Sequence, residues 1–133
     1  MTVLTQQHET ILVVDDEPSI CRLVKTLLES EGYVVLIAGD AETASKLYEE
    51  HPAEVALLLT DMRMPGTNGV DLADRILRCA PQMRVLFMSG SDAASRGFGC
   101  LAKPFTRAQL ISRVNQALSG RPPAKMLVAA HAA

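Results

Sequence analysis

The sequence contains no tryptophan, and aromatic residues make up only 4% of it, which by itself excludes nothing. Other absences say more. No Lys/Arg run or basic helical face occurs and the formal net charge is −2, so the electrostatic footprint of a nucleic-acid binder is missing and direct DNA contact is not expected. No apolar stretch approaches membrane-spanning length, and the N-terminal MTVLTQQHETILVV lacks a positive leader, an apolar stretch and a small-residue cleavage site. A cytoplasmic chain without membrane contact is expected. Cys21, Cys79 and Cys100 lie far apart with no CxxC spacing, which argues against a disulfide framework or a zinc site. Cys21 and Cys79 read as small helix residues, because free cysteine commonly packs as a small hydrophobe.

What is present fits one globular domain of ordinary size: 133 residues, 48% apolar and 21% charged. Short apolar runs, ILVV (11–14), YVVLIA (33–38), VALLL (55–59) and RVLFM (84–88), are β-branched or leucine-rich without alternation, as strands buried on both faces are. Between them apolar residues recur at helical spacing: Ile20, Leu23, Val24, Leu27 and Leu28, then Ala44, Leu47 and Tyr48, then Leu72, Ala73, Ile76 and Leu77. Pro18 suits a helix first turn, Asp40 an N-cap, Gly32 a helix C-terminus and Pro81 a stop. A last helix follows Thr106, with Leu110, Ile111, Val114 and Leu118 on one face, and Gly120, Pro122 and Pro123 end it. Residues 1–9 read as an N-terminal extension, 10–119 as the domain and 120–133 as a loose tail. Strands alternating with helices imply an α/β domain, a doubly wound parallel sheet with helices on both faces.

In such sheets ligands bind beyond the carboxyl ends of the strands, and here those positions are polar. The first run ends in Asp15-Asp16-Glu17, the third is followed by Asp61, the fourth by Ser89, and Lys103-Pro104 follows a short fifth run, GCLA. Neighbouring strands lie about 4.8 Å apart, so carboxylates at the ends of adjacent strands converge within reach of one cation. Such a cluster repels itself unless a hard divalent cation joins it, and Mg²⁺, which keeps waters beside few carboxylates, fits. Asp61 can then act as a nucleophile toward a phosphoryl group, with Lys103 offsetting charge and Ser89 donating to a phosphoryl oxygen. Taken singly, each feature has a plainer explanation. The acidic trio can favour a helix N-terminus, Asp61 and Ser89-Gly90 can form turns, and Lys103 can be a solvated surface residue. Their joint occurrence at strand ends, in the required order, favours the chemical reading.

The segments VVDDEP, LLLTDMRMPGTNGVDL, LFMSG and KPF strongly resemble the signature segments of the response-regulator receiver family of two-component systems, over roughly residues 10–119. The resemblance implies Asp61 as phosphoacceptor and a Mg²⁺ ion held by Asp16, Asp61 and the Arg63 backbone carbonyl, with Asp15 acting mainly through water. It also implies Ser89 and Lys103 as the hydroxyl and lysine of the site, a cis Lys103-Pro104 bond, and a flavodoxin-like five-stranded sheet of order 2-1-3-4-5. Receivers catalyse only their own phosphorylation and dephosphorylation. The implied partner is a histidine kinase or histidine phosphotransfer protein, or a small phosphoryl donor, since His8, His51 and His131 do not resemble a phosphodonor. Dimerisation is left open.

Two departures from the family pattern stand out. Only residues 90–98 (GSDAASRGF) separate the fourth strand from the fifth, whereas a helical crossover needs about a dozen, so the fourth helix is expected to be missing or shortened. Cys100 stands where the family places an inward-turning Tyr or Phe, and Phe98 lies about 7 Å along the strand. Switching by ordering of the 90–98 segment is the expectation. Three rivals are open. A flavodoxin-like flavin binder needs a Ser/Thr/Gly-rich phosphate loop where this chain has DDEP. An aspartyl phosphohydrolase needs an acid two residues after the nucleophile, where this chain has Arg63. A phosphorylation-independent, receiver-like interaction module is the strongest of the three. No output domain fits in the remaining residues, so a stand-alone regulator or a receiver from a larger protein is expected.

Overall fold

The computed structural model describes residues 9–90 and 99–119. Five strands and four helices follow one another among the described residues, alternating up to β4: β1 (Thr10–Val14), α1 (Pro18–Glu29), β2 (Val34–Ala38), α2 (Ala41–Glu50), β3 (Val55–Asp61), α3 (Gly69–Cys79), β4 (Arg84–Ser89), β5 (Gly99–Ala102) and α4 (Arg107–Ser119). All strand pairs are parallel and the order is β2-β1-β3-β4-β5. The expected missing or shortened helix, the loop-ordering switch, Phe98 and the 120–133 tail concern residues outside those described, apart from Gly90.

The unbroken apolar runs follow from burial on both faces. Leu12, Val14, Leu58, Val85 and Phe87 pack beneath α2 and α3, with Ala41, Ala44, Leu72, Ala73 and Ile76. Their neighbours in sequence, Ile11, Val13, Leu57, Leu59, Leu86 and Met88, point the other way and pack beneath α1 and α4, with Cys21, Val24, Leu28, Leu110 and Val114. Alternate side chains of a strand leave opposite faces, so a strand covered on both sides has no polar phase. Each such side chain contributes about 1.5–3 kcal/mol by burial.

Local signals set most element ends. Pro18 occupies the first turn of α1, Asp40 accepts the Thr43 N–H at 2.7 Å to cap α2, and Gly32 adopts φ 96° just past α1. Thr106 and Gln109 cap α4 reciprocally: the Thr106 hydroxyl accepts the Gln109 N–H at 3.0 Å and the Gln109 carboxamide accepts the Thr106 N–H at 2.9 Å. Asn68, which sequence reading passed over, caps α3 by accepting the Asp71 N–H at 2.8 Å.

Three expectations need correction. Leu23 is 47% exposed, because the buried face of α1 is centred on Cys21, Val24 and Leu28 and Leu23 falls beyond it. β2 is not buried on both faces: it is an edge strand, paired only with β1, and Val34 and Ile37 are exposed. Cys79 is exposed at the last turn of α3 and packs in no core. Just before β1, the Glu9 carbonyl accepts the Val34 N–H at 3.0 Å.

Candidate functional site

The parallel sheet places every strand's carboxyl end on one edge, and there the polar residues gather. Asp15 follows β1 and is 1% exposed. Its N–H donates to the Ala38 carbonyl at 3.1 Å, extending the β1–β2 ladder, and its Oδ1 accepts the Glu17 N–H at 2.9 Å. Glu17 itself makes no side-chain cap to α1. The acidic trio is therefore not explained as a helix cap. Asp61 ends β3, is buried, and accepts the Arg63 N–H at Oδ1 over 3.3 Å. Ser89 ends β4 and is buried, and its carbonyl accepts the Lys103 N–H at 2.8 Å, fixing the residue that follows β5. The Lys103-Pro104 bond is cis.

The Lys103 ammonium lies between two of the carboxylates, 2.8 Å from Asp15 Oδ2 and 3.3 Å from Asp61 Oδ2. Asp16 sits at the surface, and Asp15, Asp16 and Asp61 each offer an oxygen within 4.8 Å of the others'. One ammonium faces three carboxylates, so the cluster keeps excess negative charge in a partly dry setting. Burial raises the pKa of the Asp61 carboxyl from its ordinary value, against the opposing pull of Lys103 and the Arg63 N–H. Burial lowers the affinity of Lys103 for its proton, but the Asp15 and Asp61 carboxylates outweigh it, and its pKa is raised. An all-oxygen donor set with one solvent-facing member and uncompensated charge suits a hard divalent cation that retains water, such as Mg²⁺.

Beside the carboxylates opens a cavity of about 310 Å³ lined by Asp61, Arg63, Ser89, Gly90 and Lys103. Asp61 thus borders a space lined by two cationic residues and a hydroxyl residue. All six residues expected from the sequence, Asp15, Asp16, Asp61, Arg63, Ser89 and Lys103, fall at this edge. Two contributors were not foreseen. Thr60, fully buried, donates its hydroxyl to the Asp61 carbonyl at 3.0 Å, and a polar residue within an otherwise apolar run was its only signal. Cys21 does more than pack: its thiol lies 3.4 Å from the Asp15 carbonyl, and burial raises the thiol pKa.

The response regulator receiver domain model matches residues 11–115. The chain is 36% identical over 126 residues to the DNA-binding transcriptional regulator NtrC of Azospirillum brasilense, covering 88% of this chain and 26% of that protein. Its fold is similar to a response regulator receiver domain protein from Clostridium thermocellum, with a TM-score of 0.77 and 30% identity over 90% of this chain and 98% of that one. It is also similar to the receiver domain of the hybrid histidine kinase CckA, with a TM-score of 0.75 and 34% identity over 83% of this chain and 99% of that one. The chain spans between 26% and 48% of the length of three curated relatives that it matches. Among the described residues, no helix is long and apolar enough to cross a membrane. A family match over most of the chain, on a sheet whose strand order agrees with it, shows that this chain belongs to the response regulator receiver domain family.

Proposed function

We propose that this receiver is a working phosphoacceptor, taking a phosphoryl group on Asp61 from a phosphohistidine of a partner histidine kinase or phosphotransfer protein, or from a small phosphoryl donor. The observation that carries the reading is the placement of the Asp61 carboxylate, buried at the wall of the cavity with the Lys103 ammonium 3.3 Å away. An Asp61 oxygen attacks phosphorus, the bond from phosphorus to the donor breaks, and an aspartyl-phosphate forms as the donor leaves with the bonding pair. Lys103 offsets charge on the transferring phosphoryl oxygens, and Ser89 donates a hydrogen bond to one of them. Asp15, Asp16, Asp61 and the Arg63 carbonyl would hold Mg²⁺, which supplies positive charge beside the phosphoryl oxygens.

The chemistry stops at the chain itself. Arg63 stands where an aspartyl phosphohydrolase needs its second acid, so turnover of external substrates is not expected. The phosphoryl state switches protein–protein interactions, and the chain acts in the cytoplasm. A phosphorylation-independent interaction module is the alternative, favoured by one observation: Cys100, a thiol with no ring to reorient, packs against the core on β5.

Intact mass after incubation with a small phosphoryl donor and Mg²⁺ separates the two. One phosphoryl addition that is lost in Asp61→Asn and in chelator supports the phosphoacceptor. A folded, Mg²⁺-binding protein that gains no mass would make the interaction module the better reading.

A further inference from the structure

Gly69 is the first residue of α3, and its backbone does not need glycine. The positive-φ glycines among the described residues are Gly32 and Gly66, and alanine is the better helix former by up to about 1 kcal/mol. What glycine allows here is approach. A Cβ placed on Gly69 would lie 1.8 Å from the carbonyl oxygen of Asp61, 2.9 Å from its carbonyl carbon and 3.0 Å from the Thr60 hydroxyl. The two nearest of these atoms are backbone of the candidate phosphoacceptor, which cannot swing aside as the end of a side chain can. Gly32, Gly39, Gly66 and Gly90 meet nothing within 4 Å at the same construction, and Gly99 meets only a flexible Leu86 methyl at 3.0 Å.

The contact is one of several on the same stretch of backbone. The Gly69 N–H donates to the Met62 carbonyl at 3.0 Å, and the Thr60 hydroxyl donates to the Asp61 carbonyl at 3.0 Å. On the other side the Met62 N–H donates to the Met88 carbonyl of β4 at 2.9 Å. The main chain that carries the Asp61 carboxylate is therefore held between β4 and the start of α3.

We propose that Gly69 is a positioning residue for phosphoryl transfer: its missing side chain lets α3 seat against the Asp61 carbonyl and sets the place of the carboxylate relative to Lys103 and the other acids. The inference rests on the phosphoacceptor reading of Asp61. Any side chain at 69 forces apart Asp61 and α3 by about 1 Å or more, a misplacement that costs on the order of 100-fold when it reaches reacting groups.

The test compares wild type, Gly69→Ala and, as a control for losing a glycine, Gly39→Ala. The rate of mass gain is followed over a range of a small phosphoryl donor at saturating Mg²⁺, and thermal melts show that each variant is folded at the assay temperature. The expected result is a maximal rate lowered about 10- to 100-fold in Gly69→Ala. The deficit should not be recovered by more donor, and Gly39→Ala should stay within about twofold of wild type. A folded Gly69→Ala with wild-type maximal rate overturns the inference while leaving the phosphoacceptor reading intact; a wild type that takes no phosphoryl group removes both.

Should Gly69→Ala not fold, wild-type NMR decides. The Asp61 carbonyl carbon and the Gly69 α-protons should shift together when Mg²⁺ and beryllium fluoride, a phosphoryl mimic, are added. An Asp61 shift with Gly69 unmoved would overturn the inference.

Discussion

At the scale of the residue, the site is held together by a compromise between charge and burial. Burial disfavours the Asp61 carboxylate, and its raised pKa means that the folded protein holds that proton more tightly than the unfolded chain does. Without metal, Asp61→Asn should therefore stabilise the protein by about 1 kcal/mol at neutral pH, since it removes a charge that burial disfavours. That gain should shrink as pH falls and wild-type Asp61 becomes protonated. Urea midpoints of the pair across pH, without metal, check both statements; a variant less stable than wild type at neutral pH would refute them. Lys103 behaves oppositely. Its pKa is raised by Asp15 and Asp61, so its stabilisation is present below the ordinary lysine range and is lost as pH climbs through the raised value. Lys103→Met leaves Asp15, 1% exposed, without its cation, and should cost about 3 kcal/mol without metal. Added Mg²⁺ should recover more stability in this variant than in wild type, as paired melts would reveal. The acids and the lysine were legible because charged residues are conspicuous at the ends of apolar runs. Thr60, Gly69 and the Cys21 thiol were not, because their part consists of distances to main-chain atoms brought close only by folding.

At the scale of the element, burial separates what is costly to change from what is not. Leu58 is fully buried in β3 between helices and flanking strands, and Leu58→Ala should destabilise by about 3 kcal/mol. Leu23→Gln, on the exposed flank of α1, should change stability by less than about 0.5 kcal/mol. A similar cost for both in urea unfolding would contradict the assignment of faces. Strands were readable from sequence because burial on both sides removes alternation, as in Ile11–Val14. The exposure of Val34 and Ile37 was not, because an edge strand and a central one carry the same apolar run and differ only in how many neighbours the topology gives them. Leu23 was misplaced for a related reason: helical period finds a stripe, but the width of that stripe is set by what packs on it. Asn68 was missed as a cap because it sits within a turn-rich segment, MPGTNG, that gives no single starting point for a helix.

At the scale of the molecule, β1 and β3 lie inside the sheet and β2 and β5 at its edges. Amide exchange should accordingly be slowest in β1 and β3 and faster in β2 and β5. Slowest exchange at an edge strand would argue against this order of stability. The class of fold followed from the alternation of strands and helices, whereas the order of strands came from family resemblance, since nothing local says that β1 lies between β2 and β3. The two scales meet at Lys103. β5 has four residues, one neighbour in the sheet, and a lysine immediately after it that reaches across β4 to carboxylates at the ends of β3 and β1. That side chain works as a guy-rope, mooring the shortest strand to the centre of the sheet through the proposed phosphoacceptor and one of the acids that would hold the metal, so occupation of those carboxylates would also adjust the tension on the far edge of the fold.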